Sequence, residues 1–219
     1  MRVLITSGAT REPIDGVRFI TNLSTGKTGA ALAERFLKKG CEVVYLHGAQ
    51  AARPSRKARR VEFGSFADLD AKLRSELRAR PFDAILHLAA VSDYSVRSVR
   101  VGGVRRAPNR LAKLDSGREV SIRLKRNPKL LDRLGRYAGR LKPFIAAFKL
   151  TNGADARKIE DSVHRLSEKA DIVVHNDLSE FADGRTHPFH VYEAGRKVAD
   201  CRSRAALAAR LLKLLRKEG

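Results

Sequence analysis

Short apolar runs alternating with helix-length amphipathic stretches are what most constrain the fold of this chain. Val3–Thr6, Glu42–Leu46, Ala84–Leu88, Phe144–Phe148 and Ile172–Val174 are nearly continuous apolar runs, and Arg60–Phe63 is a weaker one. Runs with no polar alternation belong to strands buried on both faces, which is the situation of a parallel sheet covered by helices. Four stretches between them read as helices. Gly26–Lys39 repeats Ala30, Ala33, Phe36 and Leu37 at helical spacing and stops at Gly40. Phe66–Arg78 sets Leu69, Leu73 and Leu77 on one face, and Pro128–Tyr137 and Ala156–Lys169 complete the set, with Asn127-Pro128 expected to cap the third. Strands and helices in this alternation, joined by right-handed crossovers, predict an α/β fold: an open three-layer, Rossmann-like, mostly parallel sheet. Pro188–Asp200 reads as a small C-terminal hairpin around Gly195, and Ser203–Leu215 as a closing amphipathic helix. The 219 residues suffice for one real core, so a single domain spanning 1–219 is expected.

Ser95–Val120 breaks the pattern. It is long, basic and poor in large apolar clusters, with Arg97, Arg100, Arg105, Arg106, Arg110, Lys113 and Arg118 spread through it and Gly102-Gly103 in its middle. A connection of that length inside a compact domain is usually functional, so a basic flap at about 95–120 is expected. Its cations belong to a chain-wide excess: 45 Lys+Arg against 24 Asp+Glu, a net charge of +21. Such a charge admits nucleic acid as a partner, but also small phosphorylated substrates. Nucleic-acid recognition calls for aromatics interleaved with cations or for a basic recognition helix. Neither is present, and the terminal helix offers only the nonspecific cations Arg204, Arg210, Lys213, Arg216 and Lys217. No specific nucleic-acid partner is expected.

Other classes fall away on residue chemistry. Cys41 and Cys201 are too few for a disulfide framework or a thiolate metal site. His47, His87, His164, His175, His187 and His190 show no metalloprotease spacing, and no nucleophile-elbow motif occurs. No run approaches the roughly 20 apolar residues that span a bilayer. No membrane association and a cytoplasmic location are expected.

In open α/β sheets, ligands bind at the carboxyl ends of the strands. The first strand empties into Gly8-Ala9-Thr10-Arg11-Glu12, and the chain reaches Asn22-Leu23-Ser24-Thr25-Gly26-Lys27 just before the first helix. Free N–H groups and the helix dipole there favour a phosphate, with Ser24, Thr25 and Lys27 adding hydroxyls and a cation. The alternative is an ordinary N-cap cluster at Ser24-Thr25. Neither the P-loop nor the dinucleotide glycine pattern is present. A second strand end, Ala89-Ala90-Val91-Ser92-Asp93-Tyr94, has small residues that let a ligand reach the backbone. Asp93 could serve a ribose or a metal-bridged phosphate, or cap the next turn. A third end carries Phe148-Lys149-Leu150-Thr151, where Lys149 needs either a ligand anion or a carboxylate partner. Asn176 and Asp177 either turn the chain or line the pocket.

Taken in order, these blocks resemble a known family. Ile5-Thr6-Ser7-Gly8-Ala9-Thr10-Arg11-Glu12-Pro13-Ile14-Asp15, then Val17-Arg18-Phe19-Ile20-Thr21-Asn22-Leu23-Ser24-Thr25-Gly26-Lys27, is similar to the signature of phosphopantothenoylcysteine synthetase, the synthetase half of the bifunctional coenzyme A biosynthesis flavoprotein. Ala89–Tyr94 and Ala170-Asp171-Ile172-Val173-Val174, with Asn176-Asp177, match in the same order. The signature begins at residue 1, so the resemblance implies a stand-alone synthetase with no flavin and a separate decarboxylase partner. It implies a ligase that activates 4′-phosphopantothenate with CTP or ATP, assisted by Mg²⁺, as an acyl nucleotidylate. The amine of L-cysteine then displaces the nucleotide. By position it implies that Asn22 contacts the phosphopantothenate and its acylated intermediate, and that Lys113 is the flap lysine tied to formation of that intermediate. Gly8, Ser24, Thr25, Gly26 and Lys27 would cradle phosphates, with Ala90, Asp93, Phe148 and Lys149 at the nucleotide. Phe148-Lys149-Leu150 is closer to the monofunctional enzymes than to fused bacterial ones, and His175 stands where small residues are usual. The resemblance also implies a homodimer, to which the Pro188–Asp200 hairpin could contribute. The rival readings are an NAD(P)-dependent reductase on a Rossmann-like sheet and a basic nucleic-acid-binding protein without turnover.

Overall fold

The computed structural model describes residues 1–108, 113–114, 117–181 and 188–216. Arg110, His187, Lys217 and the flap positions 109–112 and 115–116 lie outside them. In chain order the elements are β1 (Arg2–Ser7), β2 (Arg11–Pro13), β3 (Phe19–Thr21), α1 (Lys27–Lys38), β4 (Glu42–Gly48), β5 (Arg59–Phe63), α2 (Phe66–Ala79), β6 (Ala84–His87), β7 (Tyr94–Val101), β8 (Val104–Arg106), β9 (Val120–Arg126), α3 (Leu131–Ala138), β10 (Phe144–Thr151), α4 (Ala156–Ser167), β11 (Ile172–Asp177), β12 (Phe189–Glu193), β13 (Arg196–Cys201) and α5 (Arg204–Leu215). A short 3-10 turn covers Leu178–Phe181.

Among the described residues, eight strands form one sheet in the order β13-β12-β11-β10-β6-β1-β4-β5. The pairs from β5 across to β11 are parallel, while β12 and β13 close one edge as the expected antiparallel hairpin. Counting only the parallel strands, the order reverses at β1 and β6, which makes that gap the ligand crevice of a doubly wound sheet. The apolar runs behave as their lack of alternation requires. Val3, Leu4 and Ile5 are all fully buried, Val3 and Ile5 facing the layer of α1 and α5, Leu4 facing that of α2 and α3. Helix α4 packs on β10, β11 and β12. The α/β reading and the three-layer, Rossmann-like architecture hold.

The basic flap is not the loop that its composition suggested. Most of its described part is a separate antiparallel sheet, β8-β7-β9, which turns at Gly102-Gly103, both with positive φ. Every residue of β9 is exposed, so no buried face writes an apolar run into its sequence. Val96, Val99 and Val101 of β7 form a small third core with Ile14, Ile20 and Leu114. That core joins the flap sheet to the hairpin β2–β3.

The expected cap of the third helix is also corrected. The N-cap residue of α3 is Leu130, with no side-chain cap. Asn127 instead donates twice to the same turn, from Nδ2 to the Ser92 carbonyl at 3.0 Å and from its backbone N–H to the Asp93 carbonyl at 2.8 Å. It ties the exit of β9 to the entry of β7, where a buried amide satisfies two chain segments at once.

Candidate active site

The crevice is built from three strand ends. The parallel pairing of β1 with β6 continues past both strands: Ala90 N–H donates to the Gly8 carbonyl at 2.8 Å, and Thr10 N–H to the Ala90 carbonyl at 3.3 Å. Gly8 has φ of 81°, and a Cβ there would lie 2.6 Å from the Ala51 Cβ. Gly26 has φ of 69°, and a Cβ there would lie 2.7 Å from the same Ala51 Cβ. Both glycines therefore press on one point just beyond β4, and the Ser7 hydroxyl fixes their spacing by donating to the Gly26 carbonyl at 3.1 Å. Gly8, Gly26 and Ala90 are thus brought together.

Gly26 is the N-cap of α1, and the helix has no side-chain cap and no acidic residue in its first turn. Ser24 and Thr25 do not cap it: the nearest approach is Thr25 Oγ1 to Lys27 N–H at 3.5 Å, and both residues are exposed. The N–H groups of the first turn and the exposed Lys27 are left for an anion, in a helix end that favours one. Asn22 lies on the opposite lip and is exposed, its Nδ2 donating to the Val91 carbonyl at 3.3 Å.

The other candidates are placed less centrally. Asp93 is exposed and pairs with Lys129 at 2.5 Å, so it neither caps a turn nor stands alone. Phe148 and Lys149 are consecutive on β10 and point to opposite faces. Phe148 packs toward the α1–α5 core, while Lys149 is half-buried beside His175 and has no carboxylate partner among the described residues. Asp177 turns the chain: it accepts from Ser179, from the Thr151 hydroxyl and from the Gly153 N–H, and those bonds, Ser179 foremost, hold its carboxyl well below the usual range. Thr151 spends its proton on Asp177, so His175 Nε2, 2.8 Å away, is the donor to Thr151. His175 Nδ1 is then a buried acceptor without a partner, and burial, with the stacked His190 next, lowers the pKa of this ring.

Two carboxylates were missed by sequence reasoning. Glu12 and Asp15 are 3% exposed each, and both sit on the β2–β3 hairpin. Glu12 accepts the Phe66 N–H at 2.7 Å and the Ser95 hydroxyl at 2.6 Å, linking the hairpin to α2 and to β7. Asp15 accepts the N–H groups of Val17 at 2.8 Å, Arg18 at 2.7 Å and Leu114 at 3.0 Å, together with the Arg18 guanidinium at 2.7 Å. These donors, Leu114 first, hold the Asp15 carboxyl far below the ordinary aspartate range. The one available signal was Asp15-Gly16, a turn pair whose aspartate commonly bonds the backbone that follows it. Lys113, the residue before Leu114, is exposed.

Beneath the crevice, His87 Nδ1 lies 2.9 Å from Thr6 Oγ1, which also accepts the Ala89 N–H. Desolvation pushes the His87 pKa down to about 4. The unfolded imidazole titrates near 6.5, so between those values the unfolded chain holds the extra proton. Stability should therefore fall as pH drops through that window, and not above it. The ring keeps partial solvent access, so the loss is set at about 2 kcal/mol, below the full value of such a shift. Urea unfolding from pH 7 to pH 4.5 should show that extra loss in the wild type and not in His87→Asn. Equal slopes would remove His87 as the cause.

Among the described residues, no group of three or more His, Cys, Asp or Glu side chains could hold a metal ion. No described helix is long and apolar enough to cross a membrane.

Comparison with known proteins agrees with this layout. The profile of the DNA/pantothenate metabolism flavoprotein C-terminal domain matches residues 1–218. The coenzyme A biosynthesis bifunctional protein CoaBC of Thermococcus kodakarensis is 33% identical over 184 residues, which are 82% of this chain and 42% of that protein. Its counterpart in Methanocaldococcus jannaschii is 35% identical over 183 residues, 81% of this chain and 41% of that one. This chain therefore spans about two-fifths of the length of these relatives. The crystal structure of the DNA/pantothenate metabolism flavoprotein from Streptococcus pneumoniae superposes with a TM-score of 0.86 at 25% identity, covering 100% of both chains.

Proposed function

Because this chain belongs to the family of the DNA/pantothenate metabolism flavoprotein C-terminal domain, we propose that it is a phosphopantothenate–cysteine ligase. The observation that carries the reading is the open N-terminus of α1 beside the Gly8–Ala90 crevice, with Asn22 on its lip. A triphosphate needs backbone N–H donors and cations and no nearby acid, and the first turn of α1 has no acidic residue. The missing dinucleotide glycine pattern argues against the nicotinamide-dependent alternative on the same sheet.

In the proposed reaction, a carboxylate oxygen of 4′-phosphopantothenate attacks the α-phosphorus of CTP or ATP, and pyrophosphate leaves. The amine nitrogen of L-cysteine then attacks the activated carbonyl carbon, the nucleoside monophosphate leaves, and the amine gives up a proton. Gly8, Gly26 and Ala90 let the backbone approach the phosphates closely, and Ser24, Thr25 and Lys27 supply further donors. Lys149, without a carboxylate partner among the described residues, suits an anion in the neighbouring strand gap, and Phe148 and Asp93 border the nucleotide. Asn22 holds the acyl group, and Lys113 supplies positive charge while the pentavalent phosphorus forms. Mg²⁺ would offset the triphosphate charge when bound. The residues fit an ion carried in on the nucleotide, with the exposed carboxylate of Asp93 to meet it and, among the described residues, no preformed cage.

A homodimer is part of this proposal. In its favour, β9 is a sheet edge unpaired among the described residues, on which Val120, Ile122 and Leu124 share one exposed face. An exposed edge with an apolar stripe is the kind of surface that a second copy covers. A cytoplasmic location and a separate decarboxylase supplying the pathway complete the reading.

The test is a pyrophosphate-release assay with CTP and ATP in parallel. Release should require nucleotide, Mg²⁺ and 4′-phosphopantothenate together, and cysteine should convert the product to phosphopantothenoylcysteine. No turnover with either nucleotide, in folded protein, would sink the assignment. Tight, salt-steep binding of RNA in that same protein would turn the reading to the nucleic-acid alternative.

A further inference from the structure

We infer that Asp15 is a positioning residue that clamps the backbone of Leu114 and so delivers Lys113 to the reaction. The inference rests on the ligase reading above and names a device within it. Both polar groups of the Leu114 peptide unit are held: its N–H donates to Asp15 Oδ2 at 3.0 Å, and its carbonyl accepts Arg18 Nη1 at 3.3 Å. Arg18 Nη1 also donates to Asp15 Oδ2 at 2.7 Å, so acid, base and peptide close a ring. The Leu114 side chain is a third anchor, packed into the small core of Val96, Val99 and Val101 with Ile14 and Ile20.

Leu114 is fixed by side chain and backbone alike, while the residue before it, Lys113, is exposed. A buried carboxylate with four donors is costly to assemble, and here it secures a residue 99 positions away rather than only its own turn. The same hairpin runs through β3 into Asn22, so the two side chains proposed to touch the reacting groups are referenced to one rigid piece. Preorganisation of that kind acts on the transition state more than on substrate binding, because it sets where a charge stands when charge develops.

The experiment is a double-mutant cycle with Asp15→Asn and Lys113→Ala, read by pyrophosphate release and by amide hydrogen exchange. Asp15→Asn keeps the shape of the side chain and replaces one acceptor oxygen with a donor. It should lower kcat about tenfold or more with the KM values changed less than about threefold. In the Lys113→Ala background the same substitution should cost almost nothing more, because its effect passes through Lys113. The Leu114 amide should be protected in the wild type and exchange at least about tenfold faster in Asp15→Asn. Should Asp15→Asn fail to fold, Arg18→Ala removes the donor to the Leu114 carbonyl and one donor to Asp15 while keeping the Leu114 side chain, and it should lower kcat and speed Leu114 amide exchange in the same direction. Additive losses in the cycle, or an unprotected Leu114 amide in the wild type, overturn the clamp. Wild-type rates in Lys113→Ala overturn it as well. Absence of turnover in the wild type instead sinks the ligase reading, and the exchange result alone then decides the clamp.

Discussion

Asn22→Ala and Lys113→Ala should each lower pyrophosphate release by about a hundredfold or more, with the melting temperature held within about 2 °C. Neither side chain carries the fold. Asn22 is exposed and makes one long bond, 3.3 Å, to the Val91 carbonyl. Lys113 is exposed, and the anchoring of its segment belongs to Leu114. Surface substitutions away from caps and networks usually stay within about 0.5 kcal/mol, so large kinetic losses without thermal losses would isolate the chemistry. The two variants should also differ from one another. Asn22→Ala removes a donor that orients the acyl group, so it should slow both formation of the intermediate and its capture by cysteine. Lys113→Ala removes charge at the phosphorus, so it should slow formation most. Single-turnover measurement of pyrophosphate release against product formation separates them. Wild-type rates in either variant would take that residue out of the site.

The parallel sheet was legible because burial on both faces leaves a plain mark, a run with no polar interruption. The flap sheet was not. The basic stretch read over Ser95–Val120 stops at the first residue of β9, and the alternation of Val120, Ile122 and Leu124 with Ser121, Arg123 and Lys125 is a strand signal that went unread. The phosphate-binding candidates near Gly26 could be read locally, since a glycine at a helix start after a strand is a short-range signal. The capping role expected of Asn127 failed for the converse reason. An asparagine before proline is a local cue, but its amide is spent on Ser92, 35 residues away. Glu12 and Asp15 were missed on the same ground: their decisive partners, Ser95 and Leu114, are 83 and 99 positions distant. Long-range satisfaction of buried acids leaves no spacing to read.

Gly8→Ala should damage both fold and turnover, and for a reason separable from any lost contact. The backbone at Gly8 stands at φ of 81°, where an L-residue is strained by about 1–2 kcal/mol. The added methyl would also lie 2.6 Å from the Ala51 Cβ and 3.1 Å from the Gly48 nitrogen. Neither neighbour is the end of a flexible side chain, so the loop itself must move. Overpacking of this type adds about 1–3 kcal/mol, giving an expected loss of about 2–5 kcal/mol in all. The displaced segment carries the Gly8 carbonyl that receives the Ala90 N–H, and so the lip of the crevice shifts with it. A displacement near 1 Å at a phosphate cradle can cost about a hundredfold in rate. Gly40→Ala supplies the control. Gly40 has a comparable φ of 79°, yet a Cβ there meets nothing within 4 Å, and the residue ends α1 far from the crevice. It should lose about 1 kcal/mol from backbone strain alone and keep wild-type turnover. Urea unfolding and pyrophosphate release, measured on both variants, test the pair. Equal behaviour of the two would mean that the close approach at Ala51 does not shape the site.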